Sequence, residues 1–518
     1  MLRAPALSCL CAAVVALSAG GCGESGSGGE GDPAALVPAG AAFYIEAAVQ
    51  PEGDRREDAL AAAGKIMRTD DPAAKLRELV DKELAGEGLD WERDFASWLG
   101  EDAGFWATNF QAAEPSWGFV VASKDADAAK AALARFAKAD DSPHTARSYD
   151  GIGYEVDDEG VAAGIVDDYM VFATEDAFKR SVDTRDGDSL ADADRYGDAI
   201  GDLDEERLGH FYFDVAPLID AAAKQDPAGA SELQQFRSLF PVEKLDPVTG
   251  AFAADGDGMA LDSVVTGVPD GPLRRLMQLG TAGGSDLLGE LPGDAWAAFA
   301  TPKLGDSAQA LFSSFAGAIG GAAIAAQVKQ ATGLDLQQDV FSWIGDVGLF
   351  VRGTDMASLD GALVIGSTDD AKAETAFAKL IALIAKETGS LPAPVKVAGA
   401  DAAFAVEPSG EPKKVVLARG EGRVVAAFGE EAAAAALSPS SKLGDSDAFG
   451  AAEKILGDDL EPAFVLSIAD VIRLADATGG TDAEFDKARP YLEALGVVTS
   501  GGKAEGDRLE SRVAVTLK

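Results

Sequence analysis

An internal repeat is the feature that most constrains the fold. The segment Gly88–Glu101 contains Gly-Leu-Asp and then Asp-Phe-Ala-Ser-Trp-Leu-Gly-Glu, and about 245 residues later Gly333–Asp346 contains Gly-Leu-Asp and then Asp-Val-Phe-Ser-Trp-Ile-Gly-Asp. Further matches keep the same order: Val37-Pro38 with Leu291-Pro292, Leu190–Gly197 with Leu443–Gly450, His210–Phe213 with Ala463–Leu466, and Gly256 with Gly506. The sequence therefore predicts a tandem duplication, with repeat unit 1 over 35–268, a linker over 269–284 and repeat unit 2 over 285–518.

Within a unit, short segments of alternating polarity are interspersed with segments of helical period. In the first unit this pattern predicts a strand over Ala42–Val49, a charged helical stretch from about Arg55 to Leu84, and a helix over Asp125–Lys138. Several predicted strands are separated by only a few residues, which is too short for a parallel crossover. We therefore expect an α+β fold in which each unit is a mainly antiparallel sheet with helices packed on it.

The N-terminal region has the pattern of an export signal. One positive charge at Arg3 precedes an uncharged, alanine-rich run up to Gly21. The segment Leu17–Cys22 resembles the lipobox of bacterial lipoproteins, although Ala19 stands where that family prefers leucine. The resemblance implies a signal peptide over 1–21 and a diacylglyceryl group on the sulfur of Cys22. The alternative is ordinary cleavage near Ala19, which would release a soluble protein with a free thiol.

Lipid attachment at Cys22 is the interpretation we favour, because it removes an otherwise unpaired exported thiol. Residues 22–34 then form a lipidated cysteine and a flexible Gly/Ser linker that reaches roughly 20 Å on average. This predicts a protein held by its lipid at the extracytoplasmic face of the cell membrane. Cys9 and Cys11 lie in the signal, so the mature body carries no disulfide.

The charge of the chain excludes one class of partner. Its 87 acidic and 44 basic residues give a net charge of −43, which would repel a nucleic acid backbone. The same charge disfavours docking of the folded body on anionic lipid headgroups. A solvated acidic surface is the simpler interpretation, and a cationic partner or calcium is the alternative.

Two repeated motifs could be functional sites, and for both we favour a structural role. The Trp98 and Trp343 segments predict a helical turn closed by a left-handed Gly100 or Gly345, with the indole buried. The pairs Asp192-x-Asp194 and Asp445-x-Asp447 resemble the start of a calcium loop. The later ligand positions of such a loop are missing, so helix capping by the acids is the preferred account.

The sequence contains no catalytic motif that we can identify. The histidines are His144 and His210, and the second unit has Ala463 where the first has His210. We therefore predict no catalytic residue, no metal site, no cofactor and no enzymatic activity. Hydrolysis by carboxylates alone, with or without calcium, is the remaining enzymatic alternative.

An uncharged segment, Ser307–Val328, distinguishes the second unit from the first. Leu311, Phe312, Phe315 and Ile319 follow helical spacing. We expect a buried helix, or one that packs between the two copies. The alternatives are a membrane span, a helix that lines an apolar pocket, or a helix that contacts a partner.

Taken together, the layout resembles an uncharacterised family of bacterial exported proteins known only as a domain of unknown function. The residues that carry this resemblance are Val37–Gly40, Trp98–Gly100 with Gly104–Trp106, and Leu190–Gly197. The family implies no activity, substrate or catalytic residue. We expect a non-enzymatic envelope lipoprotein that binds or scaffolds an envelope protein partner, and as the alternative a carrier of a lipid or other apolar ligand.

Overall fold

The computed structural model describes residues 31–518, except 87, 110–115, 140–142, 204–206, 220–236, 238–239, 282–283, 316–320, 408–412 and 481. The signal segment and Cys22 lie outside the described residues. Two compact units are present: the first ends at Thr266, and the second includes Gly267–Lys518. Most of the stretch 269–284 is taken up by a helix, Pro272–Thr281.

The first unit is built on one antiparallel sheet. Its strands are β1 (Phe43–Ala48), β2 (Leu99–Asn109), β3 (Ser116–Ser123), β4 (Thr145–Tyr149), β5 (Ile152–Val156), β6 (Val161–Val166), β7 (Tyr169–Thr174), β8 (Gly209–Phe213), β9 (Val248–Ala254) and β10 (Gly258–Val265). They pair in the order β10-β9-β8-β1-β2-β3-β7-β6-β5-β4. β9 and β10 form a hairpin, and in its turn the Asp255 carboxylate accepts the N–H groups of Asp257 and Gly258.

The second unit repeats this pairing order. Its strands are β11 (Ala295–Thr301), β12 (Ile344–Arg352), β13 (Asp360–Ser367), β14 (Ala393–Pro394), β15 (Ala402–Val406), β16 (Val415–Gly420), β17 (Arg423–Phe428), β18 (Glu461–Ser467), β19 (Leu495–Glu505) and β20 (Arg508–Leu517). They pair in the order β20-β19-β18-β11-β12-β13-β17-β16-β15-β14. Each strand therefore has a counterpart at the same place in the other sheet.

Helices pack on these sheets, so the predicted α+β class is confirmed. In the first unit they are Gly53–Met67, Pro72–Gly86, Trp91–Asp94, Ala126–Ala139, Glu175–Asp183 and Asp194–Ile200, with 3-10 turns at Pro33–Leu36, Thr184–Asp186 and Val242–Lys244. In the second unit they are Pro272–Thr281, Asp286–Gly289, Leu304–Phe315, Gly321–Thr332, Asp370–Thr388, Glu430–Leu437, Asp447–Leu456, Ile468–Thr478 and Ala483–Leu492, with a π-helix at Leu336–Phe341 and a 3-10 turn at Leu443–Asp445.

The charged helical stretch predicted from Arg55 to Leu84 consists of two helices, Gly53–Met67 and Pro72–Gly86. The first helix ends at Met67, because Arg68 adopts a left-handed conformation with φ of 53° and donates its N–H to the Gly64 and Lys65 carbonyls. The second helix begins at Pro72, whose fixed φ suits a first helical turn. A proline inside one long helix would instead have broken its hydrogen-bond ladder.

The sheet of the first unit has an apolar cluster on both faces. One face carries Tyr44 of β1, Trp106 of β2 and Tyr212 of β8 under the helices Glu175–Asp183 and Asp194–Ile200. The other face carries Phe119 and Phe172, packed with Val80, Leu84 and Phe136 of the helices before and after β2 and β3. Burial of both faces makes this sheet the centre of the first unit.

The second unit is covered less evenly. One face is buried by residues of Asp286–Gly289, Glu430–Leu437 and Asp447–Leu456 around Phe350 and Val364. On the opposite face, helix Asp370–Thr388 packs Phe377 and Ile381 against Leu417 and Val424 of β16 and β17. That helix leaves part of β11, β12 and β13 open, which defines the candidate site below.

Candidate functional site

The repeated tryptophan turn is a structural element in both units. Trp98 is fully buried and its Nε1–H donates to the Asp94 carbonyl at 2.5 Å, while Trp343 Nε1–H donates to the Asp339 carbonyl at 2.9 Å. The Asp94 carboxylate accepts the backbone N–H of Asp90 at 2.9 Å, and Asp339 accepts that of Asp335 at the same distance. Buried indole rings with satisfied N–H groups are what a structural turn requires.

The glycines after these tryptophans have a different role from the one predicted. Neither Gly100 nor Gly345 has a positive φ, and both lie in strands. A Cβ on Gly100 would lie 2.8 Å from the Ala122 carbonyl oxygen, and a Cβ on Gly345 would lie 3.1 Å from that of Gly366. The left-handed expectation was therefore wrong, and close approach of a neighbouring strand is the reason for glycine at Gly100.

The acidic pairs do not form the predicted caps. Helix Asp194–Ile200 follows Ala193 without a side-chain cap, and Asp192 accepts a hydrogen bond from Ser189 Oγ at 2.6 Å. In the second unit Ser446 Oγ provides the cap for the helix that starts at Asp447. Asp194 and Asp447 lie in first turns, where negative charge is favourable. Across the described residues there is no group of three or more metal-ligating side chains.

The segment Ser307–Val328, predicted as a buried helix, overlaps two described helical stretches. The structure has Leu304–Phe315 and Gly321–Thr332, with 316–320 outside the described residues. Phe312 packs on Phe341 with ring centroids 6.0 Å apart, but Ile324 is 43% exposed, so burial was a wrong expectation for the second helix. Within the described ranges, every helix is too short or too polar to cross a membrane.

A buried polar network in the first unit was not foreseen from the sequence. The Tyr44 hydroxyl bonds to the Glu46 carboxyl, and the Tyr196 hydroxyl lies 2.7 Å from His210 Nε2. His210 Nδ1 lies 3.9 Å from Glu46 Oε1, because Glu46 and His210 are paired across β1 and β8. The sequence signal for this network is strand alternation, which places Tyr44 and Glu46 on the same face of β1.

Burial controls the protonation of this network. Desolvation, with smaller contributions from the nearby Asp32 and Asp102, raises the pKa of the Glu46 carboxyl to about 8, although the Tyr44 hydrogen bond opposes the shift. Desolvation, together with Arg207, lowers the pKa of His210 to about 3. At neutral pH the pair is therefore a neutral acid beside a neutral imidazole. The register places Ala300 and Ala463 at the corresponding positions of the second unit.

The open part of the second sheet carries an apolar row. Pairing across the strands aligns Phe299, Leu349, Leu363 and Ala426 side by side on one face. Leu349 is 48% exposed and Leu363 is 38% exposed. The corresponding row of the first unit is Ile45, Phe105, Phe119 and Phe172, of which Phe119 and Phe172 are buried.

A cleft of about 570 Å³ lies along this row. Its walls are apolar and come from β12, β13, β16 and β17 and from the loop before β13: Leu349, Val351, Met356, Leu359, Leu363, Val415, Ala426 and Phe428. None of the lining residues belongs to the uncharged segment Ser307–Val328. The volume falls in the range typical of small-molecule sites.

The two units differ at one register position beside the cleft. In the first unit Ala107 is paired with Trp117, whose ring stacks on Phe105 with centroids 6.3 Å apart. In the second unit Val351 at the same place is paired with Gly361. A Cβ at Gly361 would lie 2.4 Å from the Phe350 carbonyl oxygen, so the close approach of β12 requires glycine at this position.

Two charged groups reach the cleft. The Asp360 carboxylate is bound by both Nε and Nη2 of Arg352, at 2.6 and 3.0 Å, which compensates its charge. Lys413 Nζ donates to the Leu359 carbonyl at 2.6 Å and has no carboxylate within ion-pair distance among the described residues. An apolar cleft with one ammonium group that has no ion-pair partner among the described residues is chemically suited to an amphiphile.

Comparisons with known proteins give a family and no activity. The model of a family described as a protein of unknown function, DUF3352, matches residues 4–457. No curated protein matches the chain. Crystal form III of TP0453 is 11% identical, with a TM-score of 0.25 over 49% of this chain and 88% of that chain; crystal form I is 12% identical, with a TM-score of 0.26 and the same coverage.

Proposed function

Because the chain belongs to the DUF3352 family of proteins of unknown function, we propose its role from its own residues: a lipid-anchored, non-enzymatic binding protein of the cell envelope that holds an apolar ligand in the cleft of its second unit. The observation that carries the proposal is the partly exposed row of Phe299, Leu349 and Leu363 beside a cleft of about 570 Å³. Apolar clefts of this size, with few polar groups, are typical ligand sites.

The cleft favours a carrier over a pure scaffold. A scaffold needs a broad complementary face of roughly 800 Å² per partner, whereas the exposed apolar side chains here surround one cleft of about 570 Å³. Gly361, Met356 and Phe428 are among the residues that line it. Concavity allows a small apolar ligand to bury most of its own surface.

The alternative of a carboxylate hydrolase is less well supported. The acids that converge are Glu46, Asp32 and Asp102 in the first unit, and Glu46 is hydrogen-bonded to Tyr44. A buried acid that is already bonded to a buried tyrosine acts first as part of the core. We therefore assign this network a role in stability.

The membrane anchor is supported by the sequence of the N-terminal region. Growth of cells on labelled fatty acid should place label on the wild-type protein and none on Cys22→Ala, because thioether lipidation needs the sulfur of Cys22. A Cys9→Ala variant is the matched control and should keep the label. An unlabelled wild-type protein would contradict the anchor, while leaving the cleft proposal to its own test.

Ligand binding is tested by placing a charge in the cleft. Phe428 is 54% exposed at the cleft wall, so Phe428→Asp should leave the fold intact and weaken binding of an apolar fluorophore by roughly 10-fold. Leu391 is 77% exposed and does not line the cleft, so Leu391→Asp is the control and should bind as the wild type does. Equal binding by all three proteins would contradict the proposal.

A further inference from the structure

The charge at the cleft identifies the class of ligand more closely. Resting on the proposed function, we infer that the cleft takes a single-chain amphiphile with a carboxylate head, such as a long-chain fatty acid, with its head at Lys413 and its chain along Leu349 and Leu363. This geometry brings a carboxylate to the one lining cation whose charge has no ion-pair partner among the described residues.

The surroundings of Lys413 leave its ammonium group able to bind the carboxylate of such a ligand. Among the described residues it donates one hydrogen bond, to the Leu359 carbonyl, and an ammonium group has three donors. Asp360 is engaged by Arg352 in a two-point pair. Asp355 feels the charge of Lys413, but its Oδ1 already accepts the N–H groups of Ala357 and Ser358. Lys414, the next residue, is paired with Glu407 at 3.0 Å.

The net charge of −43 does not oppose an anionic ligand at this place. Exposed charges farther than a Debye length of about 8 Å are largely screened at physiological ionic strength. The local charge at Lys413 therefore decides the preference. Hydrogen bonds between an ammonium and a carboxylate are also stronger than those to a neutral hydroxyl.

The apolar row along the cleft favours a ligand with one hydrocarbon chain over a ligand with a bulky ring system. The row from Leu349 to Leu363 crosses two paired strands, and Phe428 stands farther along the same face of β17. A flexible chain can follow such a row, and each buried methylene strengthens binding roughly fourfold. Shortening the acid by two methylenes should therefore weaken binding roughly 15-fold while the chain remains within the cleft.

The test compares a long-chain fatty acid with the primary alcohol of equal length, both below their aggregation concentrations, on the full mature chain. The acid should bind the wild type about 10-fold more tightly than the alcohol. Lys413→Met keeps an apolar stem without the charge, so it should remove this preference and leave alcohol binding unchanged. Lys414→Met is the matched control and should retain the preference.

The outcomes separate this inference from the proposed function. Equal affinity of the wild type for acid and alcohol, or an equal loss of both on Lys413→Met, would overturn the carboxylate assignment and leave an apolar site. Failure of both ligands to bind the wild type would overturn the apolar site as well.

Discussion

Replacing Trp98 by alanine is expected to destabilise the first unit by about 3–5 kcal/mol, the range for removing a fully buried large aromatic ring. The ring is completely buried in a cluster with Phe95, Leu99 and Phe136. Its loss also leaves the Asp94 carbonyl without the Nε1–H donor. Denaturant unfolding followed by circular dichroism measures the change.

Three variants make this result specific. Trp98→Phe should cost less than alanine, because part of the ring volume remains. Trp343→Ala should destabilise the second unit in the same way, since its indole makes the matching bond to Asp339. Ser97→Ala, next to Trp98 but exposed, should stay within about 0.5 kcal/mol of the wild type. A mild effect of Trp98→Ala would contradict a structural role for the repeated turn.

The second large effect is a dependence of stability on pH that comes from the buried pair in the first unit. The pKa of Glu46 is raised from 4.5 to about 8, so its stabilising contribution is complete below pH 4.5 and is lost as the pH rises toward 8. The pKa of His210 is lowered from 6.5 to about 3, so its contribution is complete above pH 6.5 and is lost as the pH falls toward 3.

Between pH 4.5 and 6.5, a rise in pH weakens the stabilising contribution of Glu46 and strengthens that of His210. Above pH 6.5 only the contribution of Glu46 still changes. The free energy of unfolding should therefore fall by about 2 kcal/mol from pH 6.5 to pH 8. Glu46→Gln keeps an oxygen that can accept the Tyr44 hydroxyl and cannot ionise, so it should abolish this fall.

Tryptophan fluorescence suits the measurement, because Trp91, Trp98, Trp106 and Trp117 all lie in the first unit. The exposed Glu83→Gln is the control and should keep the wild-type profile. If Glu46→Gln loses stability between pH 6.5 and 8 as the wild type does, Glu46 is already ionised at pH 6.5 and the account of the network is wrong.

Much of the architecture follows from local sequence patterns. Short connections between alternating segments predicted antiparallel pairing, and the α+β class was confirmed. Local patterns failed where the conformation depends on a distant strand. Gly100 has the appearance of a helix-ending glycine in sequence, but its reason is the carbonyl of Ala122 on β3. The tandem duplication stays a prediction, and the repeated strand order is what superposition of the two units would test in detail.

The two unforeseen sites have the same physical explanation. Glu46 and His210 meet because β1 pairs with β8, and that register is set by long-range packing that one segment does not encode. Gly361 lines the cleft where the first unit has Trp117, an equivalence that appears only once both sheets are aligned strand by strand. The pattern of residues along β13 alone does not predict the cleft.

Native mass spectrometry of the protein, extracted from membranes in mild detergent, tests the central claim most directly. We predict that the wild-type protein retains an adduct with the mass of a long-chain carboxylic acid, and that Phe428→Asp loses this adduct while Leu391→Asp keeps it. A wild-type protein that is always empty, or an adduct that Phe428→Asp retains in full, would contradict a ligand site in the cleft of the second unit.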